Sequence, residues 1–371
     1  MSDNKNYASR LLTPIRRALS YSGRAIKRYW QKNWWHKVVI ALASLLILIV
    51  GTMYGIARWY IYSESSKPLT LGVSFIPDYA SSLGLDPKTT MDAIINDLHV
   101  KQFRLVSYWS DIEPTPGHYD FSMLDWEFSQ AAKAHASVTL AIGLRQPRWP
   151  ECHAPAWVNT AGLESSWVPE LDSFMTTVIN RYKNNPALAS YQLENEFFNK
   201  GFGQCYNFDR SRLVSEFNLV KKTDPNHPVI ISRSNNYLGL PIGSPRPDIS
   251  AISVYRRVWS PPIGRYFEYP FPAWYYAFLA GANEILTGKD SILHELQAEP
   301  WPPNGESITN STLAEQNKSM NAKILTANIN FAKATGMRTI DLWGAEYWYY
   351  RDVKLHDPSL WNTAKREFAS N

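Results

Sequence analysis

Two glutamates stand where they could do chemistry together. Glu196 ends the run Tyr191-Gln192-Leu193-Glu194-Asn195-Glu196, and Glu295 lies in Ile292-Leu293-His294-Glu295-Leu296-Gln297. Each follows a short apolar stretch that reads as a β-strand. Two carboxyl groups about 5 Å apart can open an acetal with retention of configuration: one attacks the anomeric carbon, while the other protonates the departing oxygen and then activates water. Glu299 is a rival attacking group, but it lies beyond the strand and directly before Pro300. No Gly-x-Gly-x-x-Gly, Gly-x-x-x-x-Gly-Lys or Gly-x-Ser-x-Gly occurs, so no cofactor and no serine nucleophile is indicated. His118, His153 and His294 show no ligand spacing, and no metal site is expected.

The elements that must position these groups follow from hydrophobic periodicity. Eight strands are expected at 71–76, 103–108, 138–143, 190–193, 229–232, 249–254, 292–294 and 339–343. Helical spacing falls at 91–100, 122–136, 171–182, 211–222, 272–286 and 313–336. Alternation of this kind predicts an α/β fold with a parallel sheet, and eight strands favour closure into a (β/α)8 TIM barrel. Reactive side chains of such barrels stand at the carboxyl ends of strands, which is where Glu196 (fourth) and Glu295 (seventh) fall.

With strands and glutamates in that order, the sequence resembles the clan A retaining glycoside hydrolases. Gln192-Leu193-Glu194-Asn195-Glu196 is similar to the Asn-Glu signature of the family 35 and family 42 β-galactosidases, and the chain also resembles the family 5 type. The resemblance covers roughly 69–350 and implies Glu196 as acid/base, Glu295 as nucleophile and Asn195 as the partner of the sugar 2-hydroxyl. It implies that Arg104 sits near the nucleophile, that Tyr255 hydrogen-bonds it and that Trp343 floors the sugar. Trp109, with Tyr108 and Glu113-Pro114, matches the loop after the second strand. The stretches 144–150, 295–301 and 342–348 match no single family, so the sugar is left open. Gln297, Trp301 and Glu346 from these stretches, together with His153, are further candidates for binding or supporting a substrate. Trp149, Trp157, Trp259, Tyr269, Trp274 and Trp348 fall in or near loops where a sugar chain could stack, although aromatic residues also serve cores. Cys152 and Cys205 follow the third and fourth strands and are a disulfide candidate.

Charge and hydropathy place the barrel relative to a membrane. Residues 38–57 form 20 residues without a charge, about 30 Å as a helix and enough to cross a bilayer. Trp30, Trp34 and Trp35 precede this run, and Trp59, Tyr60 and Tyr62 follow it. Nine Lys/Arg against Asp3 give residues 1–37 a formal charge of +8, so the remainder of a chain totalling +5 carries −3. An excess of basic residues before a span keeps that end in the cytoplasm. The basic region is too long and the apolar run too extended for a cleaved signal peptide. The expected organisation is a cytoplasmic tail (1–37), a signal anchor (38–60) that meets the lipid bilayer, a linker (61–67) and an extracytoplasmic catalytic barrel (68–371). Residues 8–30 could also lie as an amphipathic helix on anionic lipid. The mildly acidic barrel excludes a nucleic-acid partner on electrostatic grounds. A membrane-anchored glycosidase is the expected function, with a catalytically inactive glycan-binding protein on the same barrel as the alternative.

Overall fold

The computed structural model describes residues 33–235 and 243–370. The basic tail, including the possible amphipathic segment 8–30, therefore lies outside the described residues except for 33–37. Two compact units divide the chain, Met1–Ile56 and Ala57–Asn371. A helix of 31 residues, Trp34–Glu64, crosses that boundary and is long and apolar enough to span a membrane. It starts four residues before the expected anchor and continues through most of the segment expected to be a linker. Within the second unit, Ala57, Tyr60 and Glu64 are buried. Gly336, at φ +82°, lies so close to this helix that an added Cβ would come within 3.1 Å of the Ile61 Cα.

The strands are β1 (Thr70–Ser74), β2 (Gln102–Val106), β3 (Ser137–Ile142), β4 (Leu188–Leu193), β5 (Val229–Arg233), β6 (Ile249–Val254), β7 (Arg257–Ser260), β8 (Arg265–Glu268), β9 (Asp290–Gln297) and β10 (Thr339–Trp343). Eight of them close into a parallel barrel in the order β1-β10-β9-β6-β5-β4-β3-β2, which is the expected TIM barrel. These strands are buried nearly throughout, as parallel strands covered on both faces must be. The seventh barrel strand, β9, is longer than its apolar core suggests. His294, Glu295 and Gln297 interrupt the hydrophobic run, yet all three are buried.

Helices cover the barrel where their capping residues allow. Asp86 accepts from the Thr89 N–H at 2.7 Å and starts the helix Pro87–Asn96, while Asp209 starts Arg210–Thr223. The helix expected at 313–336 is two, Leu313–Ser319 and Ala322–Lys333, because the Asn321 side chain accepts from Ile324 and opens a new N-terminus. Between β5 and β6 no helix occurs among the described residues. After β6 the chain forms the antiparallel hairpin β7–β8.

Candidate active site

At the end of β4 the backbone turns twice into the left-handed region, at Glu194 (φ +50°) and Glu196 (φ +43°). Non-glycine residues rarely adopt this conformation, and it concentrates at functional sites. The two turns send the two glutamates to different surroundings. Glu194 is fully buried and accepts from the Leu144 and Arg145 N–H groups at 2.6 and 3.1 Å. It also pairs with Arg212 at 3.0 Å. A side chain at Gly143 would bring its Cβ to 2.6 Å from the Glu194 carboxylate, so the tip of β3 must be glycine. Glu194 thus ties β3 to β4 and was not singled out in the sequence, where it is simply the first acid of an Asn-Glu motif.

Glu196 turns toward the open mouth of the barrel. Its N–H donates to Ser232 Oγ at 3.0 Å, and its Oε2 accepts from Asn199 Nδ2 at 2.8 Å. Burial, followed by the negative charge of Glu295, pushes its pKa up. Glu295, near the end of β9, is held differently. Arg104 Nη1 donates to its Oε2 at 2.6 Å, and the Tyr255 hydroxyl donates to its Oε1 at 2.5 Å.

Arg104 links the two strands. Its Nε donates to Gln192 Oε1 at 2.7 Å and its Nη2 to Asn195 Oδ1 at 2.9 Å. Gln192 Nε2 also donates to Asn195 Oδ1, at 2.9 Å, and Asn195 Nδ2 donates to Glu151 Oε2 at 2.9 Å. Buried polar groups connected in this way hold one another in a single geometry. Burial pushes the Glu151 carboxyl up to about 8 against the opposing charge of Arg145, 3.4 Å away.

A cavity of about 460 Å³ opens at the carboxyl ends of the strands. Of the side chains singled out in the sequence, Glu196, Glu295, Asn195, Tyr255, Trp301 and Trp343 line it, and Arg104 stands behind Glu295. Four others do not reach it. Trp109 is buried in the core, where its indole N–H donates to Glu113 and its ring packs on Phe174. His153 stacks on Tyr108 with ring centroids 3.5 Å apart and turns Nε2 to the Arg148 carbonyl. Burial pulls its pKa down to about 4, which leaves the ring neutral. Gln297 accepts from the Arg256 and Arg257 N–H groups and so positions the start of the hairpin. Glu346 accepts from the Ile76 N–H at 2.6 Å, and burial pushes it up to about 7.

Other lining groups carried weaker sequence signals. Trp149, Trp259 and Tyr269 line the rim as aromatic loop residues, whereas Trp348 is buried and bonds to the Ala298 carbonyl. Trp157 packs edge-on against Trp109, and Trp274 packs on the hydrophobic core. Glu299 lines the cavity beside Glu295, but it accepts from the Trp343 indole at 2.8 Å and pairs with Arg148 at 3.1 Å. Glu151 and Asn199 had no distinguishing pattern. Cys152 and Cys205 form a disulfide that joins the segments following β3 and β4, next to Glu151. Among the described residues, no group of three or more His, Cys, Asp or Glu side chains is placed to share a metal ion.

This geometry can be compared with known proteins. No family profile matches the chain, and no curated protein matches it in sequence. Solved structures do match in fold. A β-galactosidase from the haloarchaeon Halorubrum lacusprofundi superposes with a TM-score of 0.52 at 14% identity, over 82% of this chain and 58% of that one. A β-galactosidase from Marinomonas ef1 gives 0.52 at 14% identity, covering 81% and 59%. The GH42 β-galactosidase Gan42B gives 0.53 at 12% identity, covering 81% and 56%. The fold is a TIM barrel of the kind these β-galactosidases have. The match spans under three-fifths of each of these enzymes.

Proposed function

We propose that this protein is a membrane-anchored retaining glycoside hydrolase that cleaves β-glycosidic bonds of a poly- or oligosaccharide outside the cytoplasmic membrane. The observation that carries the reading is a single cavity whose lining includes Glu196, after β4, and Glu295, on β9, each in a different electrostatic setting. Glu295 has an arginine and a tyrosine hydroxyl on its two oxygens, the counter-charge and orientation that an attacking carboxylate needs. Glu196, its pKa raised by burial and then by the charge of Glu295, is the proposed proton donor to the departing oxygen. In the first step Glu295 bonds to the anomeric carbon as the glycosidic bond breaks and Glu196 delivers its proton. In the second, Glu196 takes a proton from water, which attacks the same carbon and releases Glu295. Asn195 and Trp343 line the same cavity, as the resemblance implies for residues that contact the sugar.

The proposed topology has the basic tail in the cytoplasm, the span at 38–60 in the bilayer and the barrel domain, 68–371, outside. The disulfide supports this placement, since such bonds persist in oxidising compartments. An activated 2-deoxy-2-fluoro β-glycoside tests the mechanism, because it forms the glycosyl ester and releases it slowly. Peptide mass analysis is expected to find the sugar on Glu295. A label on Glu299 would refute the assignment, and a folded protein that binds glycans but cleaves none of a broad panel would favour the inactive binding protein.

A further inference from the structure

The glycosidase reading leaves open whether chains are cut internally or from an end, and the walls of the cavity bear on that choice. Resting on that reading, we infer that the site is blind-ended: it takes one terminal, uncharged sugar with free hydroxyls, and the Arg148–Glu299 ion pair is the stop against which that sugar abuts.

The acid that protonates the leaving oxygen must stand on the side of the departing chain. Trp149, Asn199, Phe202, Asn235 and Trp259 line the cavity together with Glu196, from the segments after β3, β4, β5 and β6. Trp149, edge-on to Phe202, is 56% exposed and offers an aromatic surface to sugars beyond the scissile bond.

The other side is filled. Arg148 leaves the segment after β3 and reaches across to β10, where its guanidinium lies 4.5 Å from the Trp343 ring centroid. It lies 3.3 Å from the ring of Tyr79, which follows β1, and donates to both Glu299 oxygens at 3.2 and 3.1 Å. Trp343 donates to the same carboxylate, so guanidinium, carboxylate and indole lock one another. Behind Arg148, His153 holds its carbonyl and stacks on Tyr108, whose hydroxyl bonds to the Pro147 carbonyl at 2.5 Å. The segments after β1 and β2 contribute no side chain to the catalytic cavity and instead line a separate one of about 210 Å³ with Asp78, Asp111 and Glu127. A chain running through the site in both directions would have to cross this partition. At the partition, Glu299 offers acceptors and Arg148 donors to hydroxyl groups, and a substituent on the sugar would have to displace the locked Arg148–Glu299–Trp343 group.

The test uses the full chain in detergent with β-linked tetrasaccharides of glucose, galactose and mannose labelled at the reducing end. The expected first products are a monosaccharide and a labelled trisaccharide. O-methylation of the non-reducing terminal sugar is expected to slow cleavage about 10- to 200-fold, the range for one extra methyl group in a filled pocket. Arg148→Ala is expected to narrow the ratio of the two rates, a comparison that any general loss of activity leaves unaffected. If that variant does not fold, the wild-type product pattern decides alone. A labelled mono- or disaccharide as first product, or equal rates on methylated and free chains, overturns the inference while leaving the glycosidase reading intact. Failure to cleave any member, with no label on Glu295 from the fluoro-glycoside, overturns both.

Discussion

Replacing Glu196 with alanine separates acid catalysis from everything else the site does. Its carboxyl is bonded to Asn199 rather than clamped by an arginine, and burial, followed by the charge of Glu295, raises its pKa. Proton transfer from a positioned side chain contributes about 10²- to 10⁴-fold, or about 2.7 to 5.4 kcal/mol of barrier. That loss is expected in full for substrates with alcohol leaving groups. For a dinitrophenyl glycoside, whose anion departs unaided, the first step is expected to be nearly unchanged and release of the ester on Glu295 to become limiting. The deleted carboxyl leaves space at the cavity wall, so azide is expected to enter, attack the ester and give a β-glycosyl azide. The assay is steady-state kinetics on paired aryl and alkyl glycosides of one sugar, with the azide product identified by NMR. An equal loss on both substrates, without azide rescue, would refute the assignment of Glu196 as acid/base.

Two further predictions concern the buried carboxyls beside the site. Glu194→Ala leaves Arg212 buried without one of its two acidic partners and is expected to cost about 3 to 5 kcal/mol of stability, read as a lower urea midpoint. Glu151, raised from an ordinary 4.5 to about 8, contributes stability that is fully present below pH 4.5 and lost as pH rises through about 8. Glu151→Gln, which mimics the protonated acid, is therefore expected to flatten the decline of stability over that window. A urea midpoint that still falls as steeply would refute the assignment.

Much of the barrel was legible because buried parallel strands must be apolar, and Val138-Thr139-Leu140-Ala141 or Val229-Ile230-Ile231 admit little else. Glu196, Asn195 and Glu295 were legible because a barrel places its reactive groups at strand ends. What failed was the assignment of side-chain direction within loops. Trp109 and His153 follow strands just as Trp149 and Trp301 do, yet two turn inward to satisfy Glu113 and the Arg148 carbonyl while the others line the cavity. Gln297 lies two residues beyond Glu295 on β9, but its amide bonds to the backbone of the next connection. The hairpin β7–β8 was missed because Arg257, Arg265 and Glu268 interrupt its four-residue strands and hide the alternation that marks a strand.

The burial of Ala57, Tyr60 and Glu64 bears on where the chain can be shortened. A cut before residue 68 would strip these side chains from the body they belong to and remove the helix packed against Gly336. A shortened form begun near residue 57 would keep that seam sealed.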